Sequence, residues 1–206
     1  MRKLQEQNPN TVEYWNDKYN SKPEYEDMDQ FKFENISHHI SPGMTVVDIG
    51  CGNGELCKVI KKDHPSCEVI GIDYSDAVIK QLEDEEDIVF EIGMAEDTGI
   101  DEESVDFVVC CETIEHVDDP QLVIGEIYRI LVPGGKFIIT TPYLDHIPSD
   151  EHVWEFRYED IERLLKQFTN SWVFPWAGGW TEVKDQWGNV HHPRGHWDTI
   201  MALGVK

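Results

Sequence analysis

The first forty or so residues are polar with scattered aromatics (Tyr14, Trp15, Tyr19, Tyr25, Phe31, Phe33), and Thr11 followed by Glu13 and Tyr14 reads as a helix start. Two short helices outside the main sheet are expected there. The texture changes after Ser41-Pro42-Gly43. Met44 to Ile49 is an apolar run containing Asp48, followed by a glycine-rich turn and a helical pattern through Leu56, Val59 and Ile60. The unit recurs: Cys67 to Ile72 reads as a strand, Ser75 to Leu82 as a helix with Ser75 or Asp76 at its cap, and Ile88 to Ile92 as a third strand. Val105 to Cys111 is a fourth strand, Pro120 to Leu131 a helix, and Lys136 to Thr141 a fifth strand after a Pro133-Gly134-Gly135 turn. Strands alternating with helices in this way predict a doubly wound α/β fold, a mostly parallel sheet with helices on both faces.

Beyond Pro142 the pattern loosens into a loop to about Trp154, a helix from Tyr158 to Phe168, and strands at Ser171 to Trp176 and Thr199 to Val205. Trp172, Phe174 and Trp176 share one strand face and are expected in the core. Residues 177–197, rich in Gly and Trp, are expected to form a long excursion over the sheet edge. With 206 residues, a single domain is expected: an N-terminal helical lid (1–40), a central core (41–142) and a C-terminal set of elements (143–206).

Charge narrows the partners. The chain carries 41 Asp plus Glu against 17 Lys plus Arg, a formal charge of −24, and such a field repels phosphate backbones. Nucleic acid is therefore disfavoured. No apolar run reaches 18 residues and the N-terminus lacks a signal-peptide core, so a cytoplasmic protein with no membrane partner is expected, as monomer or homodimer. Its five cysteines are odd in number and sit in apolar contexts, which predicts reduced, buried thiols.

The sharpest segment is Val46-Val47-Asp48-Ile49-Gly50-Cys51-Gly52-Asn53-Gly54-Glu55. Three glycines at every second position after a strand let the backbone turn and approach a ligand at the carboxyl end of the sheet. A dinucleotide fingerprint needs glycine where Glu55 stands, which disfavours NAD and FAD. Nineteen residues beyond Gly54, Asp73 ends the second strand, where a carboxylate can accept from both ribose hydroxyls while Tyr74 offers a face to adenine. An adenosine moiety is implied.

In this order and spacing, Val46 to Glu55 and Asp73 resemble the first two motifs of class I S-adenosylmethionine-dependent methyltransferases. The likeness extends through Gly93-Met94-Ala95-Glu96, Phe107 to Val117 and the Leu131-to-Gly135 turn. It implies S-adenosylmethionine as cofactor, S-adenosylhomocysteine as product, and the final strand inserted antiparallel beside the fifth. It also implies cofactor-binding roles for Asp48, Gly50, Cys51, Gly52, Gly54, Asp73, Tyr74, Met94, Ala95, Glu96 and Glu112, with Tyr14 and Trp15 in a lid. Where Met94 stands the family often has an aspartate on the adenine amino group, so here backbone near Ala95 or the Met94 thioether takes that place.

The acceptor is expected to be a small molecule, such as a sugar or other metabolite, methylated on oxygen or nitrogen near the ends of strands four and five. His116, His146 and His152 are the candidate catalytic residues, and Trp180 and His192 candidate acceptor-lining groups. His191, His192, His196 and Asp198 have spacing that could suit a metal, but adjacent histidines point apart and no metal is expected. The rival readings are an aminopropyltransferase using decarboxylated S-adenosylmethionine, which lacks a paired-carboxylate motif at Cys110-Cys111-Glu112-Thr113, and a non-catalytic cofactor-binding partner subunit.

Overall fold

The computed structural model describes residues 1–21, 30–144, 149–176, 183–184, 190–191 and 199–206. Its centre is a seven-stranded sheet: β1 (Thr45–Ile49), β2 (Glu68–Asp73), β3 (Val89–Ile92), β4 (Val105–Cys111), β5 (Leu131–Pro142), β6 (Asn170–Trp176) and β7 (Thr199–Val205), in the order β3-β2-β1-β4-β5-β7-β6. The first five strands are parallel, and β7 pairs antiparallel with both β5 and β6. The order reverses between β1 and β4, so the loops leaving those two strands diverge and open a crevice at the carboxyl edge.

The helices are α1 (Val12–Ser21), α2 (Gln30–Ser37), α3 (Glu55–Asp63), α4 (Asp76–Gln81), α5 (Pro120–Ile130) and α6 (Tyr158–Leu164). Alternation along each strand divides the core into two layers. Val46, Phe107, Val109, Ile138 and Met201 pack with α2, α3 and α4 on one face. Val47, Val108, Cys110, Ile139 and Ile200 pack with α5 and α6 on the other. Ser75 caps α4 by accepting from Val78 N at 3.3 Å, and Asp119 caps α5 by accepting from Gln121 N at 2.9 Å ahead of Pro120. All five cysteines are free and buried. Among the described residues no helix is long and apolar enough to cross a membrane.

Three details depart from the expectations. Pro133-Gly134-Gly135 lies inside β5 as an irregularity, where pairing shifts from Val105 with Leu131 to Phe107 with Lys136. Trp172 is 54% exposed on β6, the edge strand of the sheet. The N-terminus is also tied down: Arg2–Lys3 pairs antiparallel with Trp154–Glu155, a contact between residues too distant in sequence to leave a local signal. Of the expected excursion, a two-residue pairing of Val183–Lys184 with Val190–His191 falls among the described residues. Trp180, His192, His196 and Asp198 lie outside them, as does His146.

Candidate functional site

β1 ends at the sheet centre, and the chain turns at once: Gly50 N and Cys51 N donate to Ile72 O at 2.7 and 2.9 Å. Gly50, Gly52 and Gly54 all take left-handed backbone, with φ of 77°, 52° and 75°. A Cβ on Gly50 would lie 2.2 Å from Thr113 Oγ1, and one on Gly54 2.7 Å from the Phe90 ring. The turn is thus wedged between the loop after β4 and strand β3, which explains the need for glycine there. A Cβ on Gly52 would stand 3.0 Å from Tyr19 Oη, so α1 reaches the same turn from above.

Two buried carboxylates flank this turn. Asp73, 8% exposed, accepts from Gly52 N and Ser75 N, each at 2.9 Å, one on each oxygen. Burial nevertheless raises its pKa, the backbone donors working against that rise. Asp48, 2% exposed, accepts a thiol hydrogen bond from Cys57 Sγ at 3.4 Å on Oδ2, while its Oδ1 has no partner. Burial pushes Asp48 up to about 7 against the Cys57 bond. A buried carboxylate oxygen without a donor is costly, and an ammonium or another cationic group is what satisfies it.

The opposite wall is assembled from distant segments. Glu112, the residue after β4, holds left-handed backbone at φ 49° without being glycine. Its Oε1 accepts from Lys32 Nζ at 3.0 Å and Thr140 Oγ1 at 2.8 Å. His116 places Nδ1 3.0 Å from Glu151 O and Nε2 3.8 Å from Glu115 Oε1. Its ring meets Trp15 edge-on at 5.4 Å and lies 5.2 Å from that of His152. Burial lowers the His116 pKa, so the neutral imidazole is favoured. Beneath it Glu115, 1% exposed, accepts from Thr141 Oγ1 at 2.9 Å. Burial first and the nearby Glu112 charge second push Glu115 up to about 8.

Helix α1 closes the top. Asn16 Oδ1 accepts from Ser75 Oγ at 2.6 Å and Ala77 N at 3.1 Å, and its amide donates to Asp76 Oδ1 at 2.6 Å, pinning α1 to the start of α4. On its other flank Lys18 Nζ pairs with Glu151 at 2.6 Å and lies 4.4 Å from the Trp15 ring centroid.

Two adjoining cavities result. Asp73, Tyr74, Met94, Ala95 and Glu96 line the first. Asp48, Cys51, Gly52, Glu55 and Phe33 line the second. Trp15, Tyr19, Gly50, Glu112 and His116 line both and form the junction. Gly54 lines neither cavity and starts α3 instead. Tyr14 also lines neither, being 36% exposed with its hydroxyl on Glu151 Oε1. His152 stands behind His116, and Tyr143 stacks on Tyr158 at 4.6 Å rather than facing either cavity. Sequence reasoning places Tyr19 only within the aromatic N-terminal segment of Tyr14 and Trp15, and it gives Lys32, Glu115 and Glu151 no specific role at this site. The spacing of Trp15 and Tyr19, one helical turn apart on one face, was the available signal for the first. The others depend on contacts across 26 to 133 residues.

A family model described as a methyltransferase domain matches residues 40–190. A ubiquinone biosynthesis O-methyltransferase of Pseudomonas entomophila is 29% identical over 194 residues, covering 87% of this chain and 82% of that protein. Another from Alkalilimnicola ehrlichii is 32% identical over 136 residues, covering 63% and 53%. Several of the curated relatives are only partly spanned: the chain covers 34% of a 37.1 kDa Streptomyces fradiae transposon protein and 61% of the Xanthomonas axonopodis O-methyltransferase. Among solved structures, a methyltransferase in complex with the Haloferax volcanii Trm112 methyltransferase activator superposes with a TM-score of 0.71 at 20% identity, over 100% of this chain and 98% of that one. A Haemonchus contortus phosphoethanolamine N-methyltransferase 2 bound to S-adenosylmethionine gives 0.62 at 22% identity, over 71% and 38%. With a doubly wound sheet ordered 3-2-1-4-5-7-6 and a glycine turn between two buried carboxylates, this chain belongs to the S-adenosylmethionine-dependent methyltransferases.

Proposed function

We propose that this chain methylates a hydroxyl oxygen of a small, flat acceptor held at the junction of the two cavities. Bound there, the cofactor supplies a methyl group already activated by a positive sulfur. Asp73 would accept from the ribose hydroxyls, Tyr74, Met94 and Ala95 would bracket the adenine, and the unpartnered Asp48 Oδ1 would face the amino group. Helix α1 serves as the cover, with Trp15 and Tyr19 excluding water.

The junction itself carries the reading: two aromatic side chains stand there with two proton-accepting groups, Glu112 and His116. As the new C–O bond forms, the attacking oxygen becomes strongly acidic, so a carboxylate suffices to take its proton. Glu112 is the better placed base, because the Nε2 of His116 is turned toward Glu115. The O-methyltransferase relatives favour oxygen over nitrogen as the acceptor atom.

The test pairs acceptors of one ring skeleton that differ only in bearing a hydroxyl or an amine, with product mass and S-adenosylhomocysteine release as readouts. Methylation confined to the amines would overturn the oxygen assignment. With an identified acceptor, Glu112→Gln is expected to lower kcat by about 100-fold or more. Unchanged turnover removes Glu112 as the base. Asp73→Ala should cost tight S-adenosylhomocysteine binding, and calorimetry showing wild-type affinity would overturn the ribose assignment.

A further inference from the structure

Glu112 is held at both its backbone and its side chain. The chain leaves β4 in the left-handed region at φ 49°, which is costly for a residue with a Cβ, and Glu112 N donates to Thr140 O at 3.0 Å to fix it there. Two donors from separate elements then meet the same carboxylate oxygen. Lys32 Nζ on α2 stands 3.0 Å from Oε1, and Thr140 Oγ1 on β5 stands 2.8 Å from it. Among the described residues nothing donates to Oε2. Glu112 lines both cavities, so Oε2 is the oxygen left for a bound molecule.

The place of Lys32 is itself costly, because it is 9% exposed and a buried ammonium needs a counter-charge. Helix α2 brings it there because the rest of the helix is seated in the core. Phe33 and Ile36 are buried in the layer that contains Val46 and Val109, and Ser37 Oγ donates to Asp63 Oδ2 at 2.8 Å at the end of α3. Phe33, the next residue, lines the second cavity, whereas Lys32 and Thr140 line neither. One helix therefore supplies a cavity wall and the cation behind it. Lys32 and Thr140 reach a bound molecule only through Glu112.

We propose that Lys32, together with Thr140, is a positioning residue for methyl transfer: the two donors occupy Oε1 and dedicate Oε2 to the proton of the acceptor hydroxyl. This rests on Glu112 serving as the base. As the acceptor oxygen bonds to the methyl carbon, the carbon–sulfur electron pair passes to sulfur, the O–H bond breaks and its proton joins Oε2. Oε1 becomes the carbonyl oxygen of the resulting acid and keeps both hydrogen bonds, so neither donor loses its partner during the transfer. A carboxylate free to turn would present either oxygen, and a reacting group misplaced by about 1 Å can lose about 100-fold in rate.

The test is a cycle of Lys32→Met, which keeps the reach of the side chain and removes its charge, with Glu112→Gln. Turnover of the hydroxyl acceptor found by the paired screen is read as S-adenosylhomocysteine release. Lys32→Met should lower kcat by about 10-fold or more and leave the acceptor KM within about 3-fold of wild type. In the Glu112→Gln protein the same substitution should cost no more than about 2-fold further, because the group it positions is already gone. Wild-type kcat in Lys32→Met, or an equal loss in both backgrounds, overturns the assignment and leaves Glu112 as the base. Wild-type turnover by Glu112→Gln removes the base, and this inference with it. Thr140→Val, run through the same cycle, tests the positioning if Lys32→Met does not fold. Denaturant unfolding supplies an arm that needs no acceptor: the double variant should be more stable than Lys32→Met alone, because it relieves a carboxylate left without its cation. Losses of stability that simply add overturn the pairing.

Discussion

Asp73 and His116 line the same cavity, yet they are held in opposite ways. Asp73 is fixed by its own neighbourhood: Ser75 lies two residues on, and Gly52 lies in the turn that the adjacent parallel strand delivers. His116 is fixed by Glu151 on one side and by Asn8 and Asn10 on the other, the two asparagines donating to its carbonyl at 3.0 Å. The Asp73 half is therefore a local device of strand, turn and helix, while the His116 half is a meeting of three remote segments. A local device tolerates change elsewhere and fails when its own backbone is altered. An assembled wall weakens by degrees as any contributing segment loosens.

The largest effect should come from striking the local device at its tightest point. Gly50→Ala forces a Cβ into Thr113 and places a side chain at φ 77°, so S-adenosylhomocysteine affinity should fall by about 100-fold in calorimetry. An affinity within a few-fold of wild type would break the contrast.

The pH dependence of Asp48 comes next. Its pKa is raised by burial to about 7, above the unfolded value, so its contribution to stability is fully present below about pH 4 and is lost as pH rises through about 7. A cationic ligand group favours the ionised carboxylate, which reverses the trend for binding: cofactor affinity should rise as pH passes through about 7. Asp48→Asn should flatten both profiles, measured by denaturant unfolding and by titration calorimetry.

Asn16→Ala sharpens the comparison from the other side, because it releases α1 without touching either carboxylate. Losing hydrogen bonds to Ser75, Asp76 and Ala77 should cost about 1–2 kcal/mol of stability, with cofactor release faster by about 10-fold in stopped flow. The smallest effect belongs to a residue outside both halves. Trp172→Thr on the open edge of β6 should move unfolding free energy by no more than about 0.5 kcal/mol, and both cavities should bind as before.

The same division decides what could be read from the chain. Met44 to Glu55 carries strand, glycine turn and helix start in twelve consecutive residues, so its architecture is legible without any partner. The insertion of β7 beside β5 follows no local rule and came from family resemblance. Lys32 pairing with Glu112, Thr141 donating to the buried Glu115, and the N-terminal strand on Trp154–Glu155 each join residues whose proximity only the folded sheet creates. Trp172 was misjudged for a related reason: alternation identifies which face a strand residue takes, but it says nothing about whether a helix reaches that end of the face.

The anchoring of α1 has a kinetic consequence. Trp15 and Tyr19 line both cavities from a single helix, and that helix is fastened at once to α4 through Asn16 and to Glu151 through Lys18. The two cavities accordingly share one wall. If cofactor binds beneath α1 as proposed, it enters and leaves as that helix lifts. The frequency with which α1 lifts would then set a ceiling on turnover that no improvement in the fit of the acceptor could raise.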